Sequence, residues 1–252
     1  MDSWITAALG SERFELFSLS HGLAMGFTIA GILLLFLFRD RLQEKRAAQL
    51  CRWFIAVVLV VTEVALQVWG TSTQEWNAAE WLPFQLCSLS LMLCVYMLLM
   101  KSRRVYEFVY FTGIGGAAMA ILTPALSYPF PHFRFWHFFI AHAFIMFACF
   151  FATWVMKFRP TLRSVGTTIL FLNGYLLFVF GVNAVTGGNY MFVSQKPSQG
   201  GLMDALGDYP WYLLSLEGIA VVLFLLMYVP FWIGAKSGLG NAAQSQIVTK
   251  QD

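Results

Sequence analysis

Charged residues are scarce in this sequence. Asp, Glu, Lys and Arg account for only 12% of its 252 residues, whereas 59% are hydrophobic and 17% are aromatic. A soluble domain carries roughly a quarter charged residues, so a chain with so few cannot cover a water-facing surface. With a mean hydropathy of +0.67, the composition predicts an integral membrane protein that forms a single domain with almost no soluble portion.

The sequence has no cysteines in a long loop and no basic stretch at its start, two features that are typical of secreted proteins. The four cysteines, Cys51, Cys87, Cys94 and Cys149, lie within or beside hydrophobic segments and not in a long loop. This argues against a disulfide framework and predicts four free thiols. The opening stretch MDSWITAALGSERFE contains no basic n-region, so we expect no cleaved signal peptide.

Long hydrophobic runs, by contrast, are abundant. A bilayer core of roughly 30 Å needs about 20 helical residues, and lipid-exposed irregular backbone is excluded by its unsatisfied hydrogen bonds. The runs predict an all-α fold: seven transmembrane helices in one bundle over residues 1–236, with a short cytoplasmic tail over 237–252. The predicted spans cover about 15–38, 53–70, 84–100, 106–123, 135–156, 166–186 and 211–233.

The basic residues lie in alternate loops. Thirteen of the 16 lysines and arginines fall in the first, third and fifth loops and in the tail, against Arg13, Arg134 and Lys196 on the other side. The positive-inside rule therefore puts the N-terminus outside and the C-terminus in the cytoplasm. Because these loops supply the net charge of +3, we expect no nucleic-acid partner.

Polar side chains inside the predicted spans concentrate toward the outer surface. Such groups cost about 2.5–3.5 kcal/mol on insertion scales, so each one suggests a function. They lie roughly 5–12 Å below that surface, whereas the inner halves of the same helices are almost purely apolar. Together they predict an outward-facing polar chamber, whose residues are His21, Glu63, Gln67, Gln85, Cys87, Ser88, His137, His142, Asn183 and Glu217.

The segment between spans 6 and 7 is expected to close over this chamber. Asn189 and Tyr190 lie in it and are predicted to complete the lining, and a short amphipathic helix is expected at 201–206. Long structured loops of this kind are usually functional lids. Interhelical hydrogen bonding is the alternative explanation for any single polar residue, although two carboxylates and three histidines exceed what packing requires.

Three kinds of chemistry fit such a chamber. In the first, Cys87 is a nucleophile, His142 is its base, and Glu217 or Glu63 orients the imidazole, which would allow acyl transfer or hydrolysis on a membrane lipid. The competing explanation is that a cysteine is a small buried hydrophobe, as we expect for Cys94.

The second and third kinds are a metal-dependent hydrolase and a carrier. Zinc usually recruits two histidines one turn apart, but His137 and His142 are five residues apart, about 140° around a helix, so we expect no metal and no cofactor. A carrier or binder of a small polar or amphipathic ligand would use Glu63 and Glu217, yet alternating access needs polar groups in the inner half as well.

Five runs of the sequence resemble the YwaF-like family of bacterial integral membrane proteins. They follow one another from about span 2 to span 7 as LPFQLCSLSL, FTGIGGAAMAILTP, PHFRFWHFFIAH, NYMFVSQKP and GDYPWYLLSLEGIA. The resemblance implies a seven-helix fold in a bacterial cytoplasmic membrane more than it implies a reaction. The oligomeric state and soluble partners are left open.

The sequence is also distantly similar to a vertebrate transmembrane acyltransferase that remodels ether phospholipids through a cysteine and a histidine. His142, which follows FFIA, and Cys87, which opens a helix, match those two positions, although the residues around Cys87 differ. The similarity implies acyl-transfer chemistry at this pair, with His137 in a supporting position.

Overall fold

The computed structural model describes residues 4–8, 13–196 and 206–236, and in these ranges every regular element is helical. The predicted tail at 237–252 and residues 201–205 of the expected amphipathic helix lie outside the described residues. Each predicted span corresponds to one helix. The helices are α1 Leu19–Leu37, α2 Lys45–Ser72, α3 Leu86–Met100, α4 Arg103–Leu122, α5 Phe133–Trp154, α6 Leu162–Thr186 and α7 Trp211–Lys236.

Six of these helices are long and apolar enough to cross a membrane. The exception is α3, whose 15 residues extend only about 22 Å at 1.5 Å per residue. It begins at Leu86, two residues after the predicted start. A helix of this length is shorter than a bilayer core, so seven complete crossings stay a prediction.

Short connections bring the helix ends together at two opposite ends of the bundle. At one end, which we call the chamber end, Trp69 near the end of α2 contacts Phe133 at the start of α5 and Trp81 in the segment before α3. The segments before α1 and after α4 also meet there, through a 3.1 Å hydrogen bond from Phe14 N to Ser127 O. At the other end, the basic end, Arg103 Nη2 donates to Arg159 O over 3.5 Å. The loops predicted to face the cytoplasm gather at the basic end, although the orientation itself stays a prediction.

Helix α5 is the centre of the bundle. It packs against α1, α2, α3 and α4, whereas α7 packs mainly against α6 and, more weakly, against α4. Two thirds of the membrane span of α5 is buried inside the protein, against 6% of the span of α7. Helices α6 and α7 therefore form a thin outer wall beside a compact core of α2 to α5.

Close approach of α4 and α5 depends on a glycine. A Cβ at Gly113 would lie 3.0 Å from Cys149 Sγ and 3.2 Å from Ile145 Cγ2, so α5 packs directly on the backbone of α4, as small residues in a membrane interface allow. Beside this contact, Cys94 and Cys149 are fully buried with their sulfurs 3.8 Å apart. All four cysteines are free, as predicted.

Substituting Gly113 by Val is expected to destabilise the protein by about 1–3 kcal/mol, because an inserted side chain cannot fit without moving α5. The measurement is the thermal unfolding midpoint of the detergent-purified protein. Gly174→Val is the matched control, since a Cβ at this helical glycine meets nothing within 4 Å. Equal midpoints for the two variants would show that the α4–α5 contact is not tight.

Candidate functional site

A large chamber opens at the chamber end of the bundle. Its volume is about 1580 Å³, and residues of α2 to α7 line it, together with the segment that precedes α1. Sites for small molecules usually measure about 300–1,000 Å³. The chamber is therefore large enough for a molecule with an alkyl chain.

The chamber has two chemically different walls. The wall formed by α2, α3 and α5 is polar and carries Glu63, Gln67, Gln85, Cys87, Ser88, Arg134, His137 and His142. The wall formed by α6 and α7 is almost wholly apolar and includes Leu172, Leu176, Leu177, Phe180, Leu214, Ile219 and Leu223. The arrangement suits an amphipathic ligand, with a polar group on the first wall and an apolar chain on the second.

The apolar wall is also open to the side. Leu177 and Phe180 of α6 line the chamber, yet they are 77% and 53% exposed, and Leu214 of α7 is 60% exposed. Such residues belong to the lipid-facing surface and to the chamber at once. A lipid chain could therefore reach the chamber laterally, between the thin outer wall and the core.

Eight of the residues predicted for the site line this one chamber: Cys87, His142, Glu217, Glu63, Gln67, Gln85, Ser88 and His137. The other four, His21, Asn183, Asn189 and Tyr190, are not among the lining residues. Their polar atoms bond to backbone groups instead, which explains why they are polar without facing the chamber.

The histidines divide into two kinds by their hydrogen bonds. In His21, Nδ1 accepts from Phe17 N over 3.0 Å and Nε2 donates to Ile121 O over 2.8 Å. In His132, Nδ1 accepts from Arg134 N and Nε2 donates to Thr6 O, each over 3.0 Å. Both rings are fully used by the backbone, and burial lowers the pKa of His132 from its ordinary value. These two histidines are structural.

One ring nitrogen of His142 makes no hydrogen bond within the described part of the chain. Its side chain is 7% exposed, and Nδ1 lies 2.7 Å from Phe138 O in the preceding turn. A carbonyl oxygen only accepts hydrogen bonds, so Nδ1 carries the proton and Nε2 carries the lone pair. Because Nε2 has no hydrogen-bond partner among the described residues, it is available as a base within the chamber.

Cys87 lies in the first turn of α3. The residue at the start of the helix, Gln85, provides no side-chain cap, because its Oε1 accepts from Met191 N over 2.9 Å. The backbone N–H groups of Leu86, Cys87 and Ser88 have no acceptor within the described part of the chain. They lie at a helix N-terminus, whose partial positive charge stabilises an oxyanion placed next to it.

The three predicted catalytic side chains surround the chamber without bonding to one another. No hydrogen bond joins Cys87 Sγ to His142, and Glu217 Oε1 accepts instead from Asn173 Nδ2 of α6 over 2.8 Å. Because it bonds to Asn173, Glu217 connects the two helices of the apolar wall and does not orient the imidazole. The missing bond between Cys87 and His142 does not exclude catalysis, since catalytic hydrogen bonds are often longer in the absence of substrate.

Several polar lining residues are absent from the sequence-based set, among them Asn173 and Arg134. Asn173 lies in the middle of span 6, where a polar residue is itself a signal of function, yet its side chain pairs only with the Ile169 carbonyl and Glu217. A fifth span that begins at 135 leaves Arg134 in the preceding loop. Helix α5 begins at Phe133, which places Arg134 in its first turn and in the chamber lining.

The segment after α6 is fastened over the chamber by Asn183 and Tyr190. Asn183 Nδ2 donates to Tyr190 O over 3.1 Å, and Asn183 Oδ1 accepts from Tyr190 N over 2.8 Å. The Tyr190 hydroxyl donates to Ala78 O and accepts from Leu82 N, and burial raises its pKa. Asn189 closes the turn by accepting from the Ser194 and Gln195 amides.

The hydrogen bonds of Asn183 and Tyr190 hold two residues beside the chamber in a strained backbone conformation. Met191 and Phe192 have φ of 55° and 54°, a left-handed conformation that costs roughly 1–2 kcal/mol per residue other than glycine. Both side chains line the chamber. The segment predicted as a lid therefore supplies part of the lining through Met191 and Phe192, and not through Asn189 and Tyr190.

No set of three His, Cys, Asp or Glu side chains within the described ranges is close enough to hold a metal ion. The polar wall thus offers a thiol, an unprotonated imidazole nitrogen and helix N–H groups as its chemistry.

The described part of the chain is all-helical, has six apolar helices of membrane-spanning length and surrounds an amphipathic chamber, which defines a multi-pass membrane protein. The model of the TMEM164 family matches residues 16–228, which is most of the chain and includes the chamber-lining parts of α2 to α7. The chain belongs to this family. No curated protein and no solved structure matches it. The YwaF-like resemblance and the similarity to an acyltransferase stay predictions, as does a bacterial origin.

Cys87 is expected to react with maleimide in the folded protein, because it lines the open chamber. Cys94 and Cys149 are fully buried and should stay unmodified until the protein is denatured. The measurement compares labelling rates of variants that keep a single cysteine, at position 87 or at position 94. A slower reaction at Cys87 than at Cys94 would contradict the position of Cys87 at the chamber.

Proposed function

We propose that this protein transfers or hydrolyses an acyl group of a membrane lipid, with Cys87 as the nucleophile and His142 as the base. The observation that supports this most directly is the state of His142: its Nδ1 proton is held by Phe138 O, which leaves the Nε2 lone pair free beside a chamber that also exposes a cysteine. A thiol needs such a base to form the reactive thiolate.

The reaction would proceed in two steps, the formation of a thioester on Cys87 and its cleavage by an acceptor. His142 Nε2 takes the Cys87 thiol proton, and Sγ attacks the ester carbonyl to form a tetrahedral intermediate. The ester C–O bond then breaks, the leaving alkoxide takes the proton from His142, and a thioester remains on Cys87. In the second step, His142 deprotonates a lipid hydroxyl or water, which attacks the thioester carbonyl. The C–S bond then breaks, and the Cys87 thiolate takes the proton back from His142.

The first turn of α3 would stabilise the oxyanion that forms in each step. Its backbone N–H groups have no other acceptor and lie next to the nucleophile in the chain, as in an oxyanion hole. Removal of one donor in such a site typically costs about 10²–10³ in kcat. Glu63 and Glu217, which line the same chamber, would serve as proton-relay groups.

The two walls and the lateral opening support a lipid as the substrate. A chain would lie along α6 and α7, and the ester region would face Cys87 on the polar wall. We place the chamber end at the outer surface of a bacterial plasma membrane, because the arginine- and lysine-rich loops lie at the opposite end. A non-enzymatic carrier or binder would use the same chamber, and the experiment below separates the two.

Expression of the wild type is expected to change the lipid profile of the host membrane by redistributing acyl chains, whereas Cys87→Ser and His142→Ala should abolish the change. Loss of a general base costs about 10²–10⁴ in rate. The measurement is mass spectrometry of extracted lipids against an empty-vector strain. Cys94→Ser is the matched control, because Cys94 is a buried cysteine of the same helix outside the chamber.

A lipid profile unchanged by the wild type would leave a carrier as the better explanation. If the two variants changed lipids as the wild type does, the enzyme would stand but these two residues would not be its catalytic groups.

A further inference from the structure

We infer that a second cavity, at the basic end of the bundle, binds a phosphate group, with the headgroup of an anionic phospholipid as its source. This cavity, which we call the basic cleft, measures about 300 Å³ and shares no lining residue with the chamber at the opposite end. The inference is therefore independent of the proposed reaction. Three cations and three aromatic rings line the basic cleft: Arg39, Lys157, Arg159, Phe36, Trp154 and Phe231.

The basic cleft lies between α1 and α7. Helix α1 packs on α5, whereas α7 packs mainly on α6 and, more weakly, on α4, so a gap is left between the two. Phe36 of α1 and Pro230 of α7 line the gap from its two sides. Their neighbours Leu37 and Val229 are apolar and exposed. A lipid chain can therefore lie along the outside of these helices while its headgroup enters the cleft, which is too small for a whole lipid.

The three cations come from separate segments and are not neutralised. Arg39 follows α1, and Lys157 and Arg159 lie in the connection between α5 and α6. Within the described ranges, Lys157 and Arg159 form no ion pair. Arg39 has only a 3.8 Å contact with Asp40, whose side chain is 77% exposed. Exposed pairs of this kind are weak, so the basic cleft is a net positive site.

Aromatic rings position the two arginines. The guanidinium carbon of Arg39 lies 4.1 Å from the Phe36 ring centroid, and that of Arg159 lies 5.9 Å from the Phe231 ring centroid, both close enough for cation–π attraction. One N–H group of Arg39 donates to Phe36 O over 3.0 Å. The other N–H groups of both arginines have no acceptor in the described part of the chain, so they remain available to an anion.

Lys157 occupies a costly backbone conformation beside these arginines. Its φ is 60°, in the left-handed region that favours glycine, and it follows the end of α5. A lysine at a helix C-terminus can also serve the helix dipole alone. Lys101 is such a case: it ends α3 with φ of 51° and is exposed at the same end of the bundle, but it does not line the cleft. The two lysines therefore form a matched pair.

A phosphate fits this set of donors better than a carboxylate does. Arginine forks bind oxygens side by side, and here they approach from two different segments, with an ammonium as a third donor. The oxygens of a phosphate point in several directions, whereas those of a carboxylate lie in one plane. A choline group would bring a cation toward three others, so an anionic headgroup is favoured. Basic pockets between membrane helices on the cytoplasmic side, where the basic end is predicted to lie, bind such headgroups.

The test measures how lipids protect Lys157 from a water-soluble acetylating reagent in nanodiscs that hold the full chain. Nanodiscs of phosphatidylcholine are compared with nanodiscs that also contain phosphatidylglycerol with the same chains, and mass spectrometry gives the acetylation rate of each lysine. We expect phosphatidylglycerol to slow the acetylation of Lys157 about threefold or more relative to Lys101, as a site occupied most of the time requires. The ratio cancels the general effect of surface potential, which acts on both lysines.

Arg39→Gln and Arg159→Gln should each remove most of this protection, and Arg159→Lys should retain part of it. Arg104→Gln is the matched control, because it removes the same charge from an exposed residue of the basic end that does not line the cleft. A lipid in the chamber does not affect the measurement, since Lys157 lies at the other end of the bundle.

Protection of Lys157 by glycerol 3-phosphate or inorganic phosphate in phosphatidylcholine nanodiscs would support the phosphate site and indicate a soluble source. Protection by phosphatidylglycerol alone would support it with the lipid as the source. Equal slowing at Lys157 and Lys101, an equal loss of protection in Arg104→Gln, or equal protection by palmitate, an anion without phosphate, would overturn the inference. So would a lack of protection by any of the phosphate compounds.

Discussion

The constraint on which this structure depends is that polar groups away from water must find partners within the protein. His21, His132, Asn183 and Tyr190 satisfy it completely, because each bonds to backbone groups at the ends of helices. Against this background the few atoms without partners stand out. Within the described ranges, His142 Nε2, His137 Nε2 and the first N–H groups of α3 belong to residues that line the chamber, whereas the buried Arg52 guanidinium, which also has atoms without partners, lies outside it.

The sequence predicts the helices well because membrane spans depend mainly on hydrophobic length. It predicts the positions at which the helices begin and end less well. Helix α2 begins at Lys45, eight residues before the predicted span at 53, because a helix continues past the hydrocarbon while its hydrogen bonds remain intact. The start of α5 at Phe133 matters more, since it moves Arg134 from a loop into the chamber.

The direction in which a polar side chain points could not be predicted from its depth. His21 and His142 have similar depths in the sequence, but only the second lines the chamber, because the first is held by Phe17 N and Ile121 O. Those partners are a loop amide and a carbonyl 100 residues away in sequence, and hydrophobic periodicity contains no information about either. Asn183 is a comparable case, since its partner is the backbone of Tyr190 across a turn.

Because the chamber opens laterally beside α6 and α7, the concentration that governs its occupancy is that of the ligand in the membrane. A molecule that arrives sideways is drawn from a two-dimensional film, so occupancy follows its mole fraction in one leaflet and not its amount per volume of water. A molecule that leaves the chamber returns to the same film and competes with the next one to enter. The chamber therefore responds to the composition and fluidity of its own membrane, in the way that a soluble enzyme responds to its buffer.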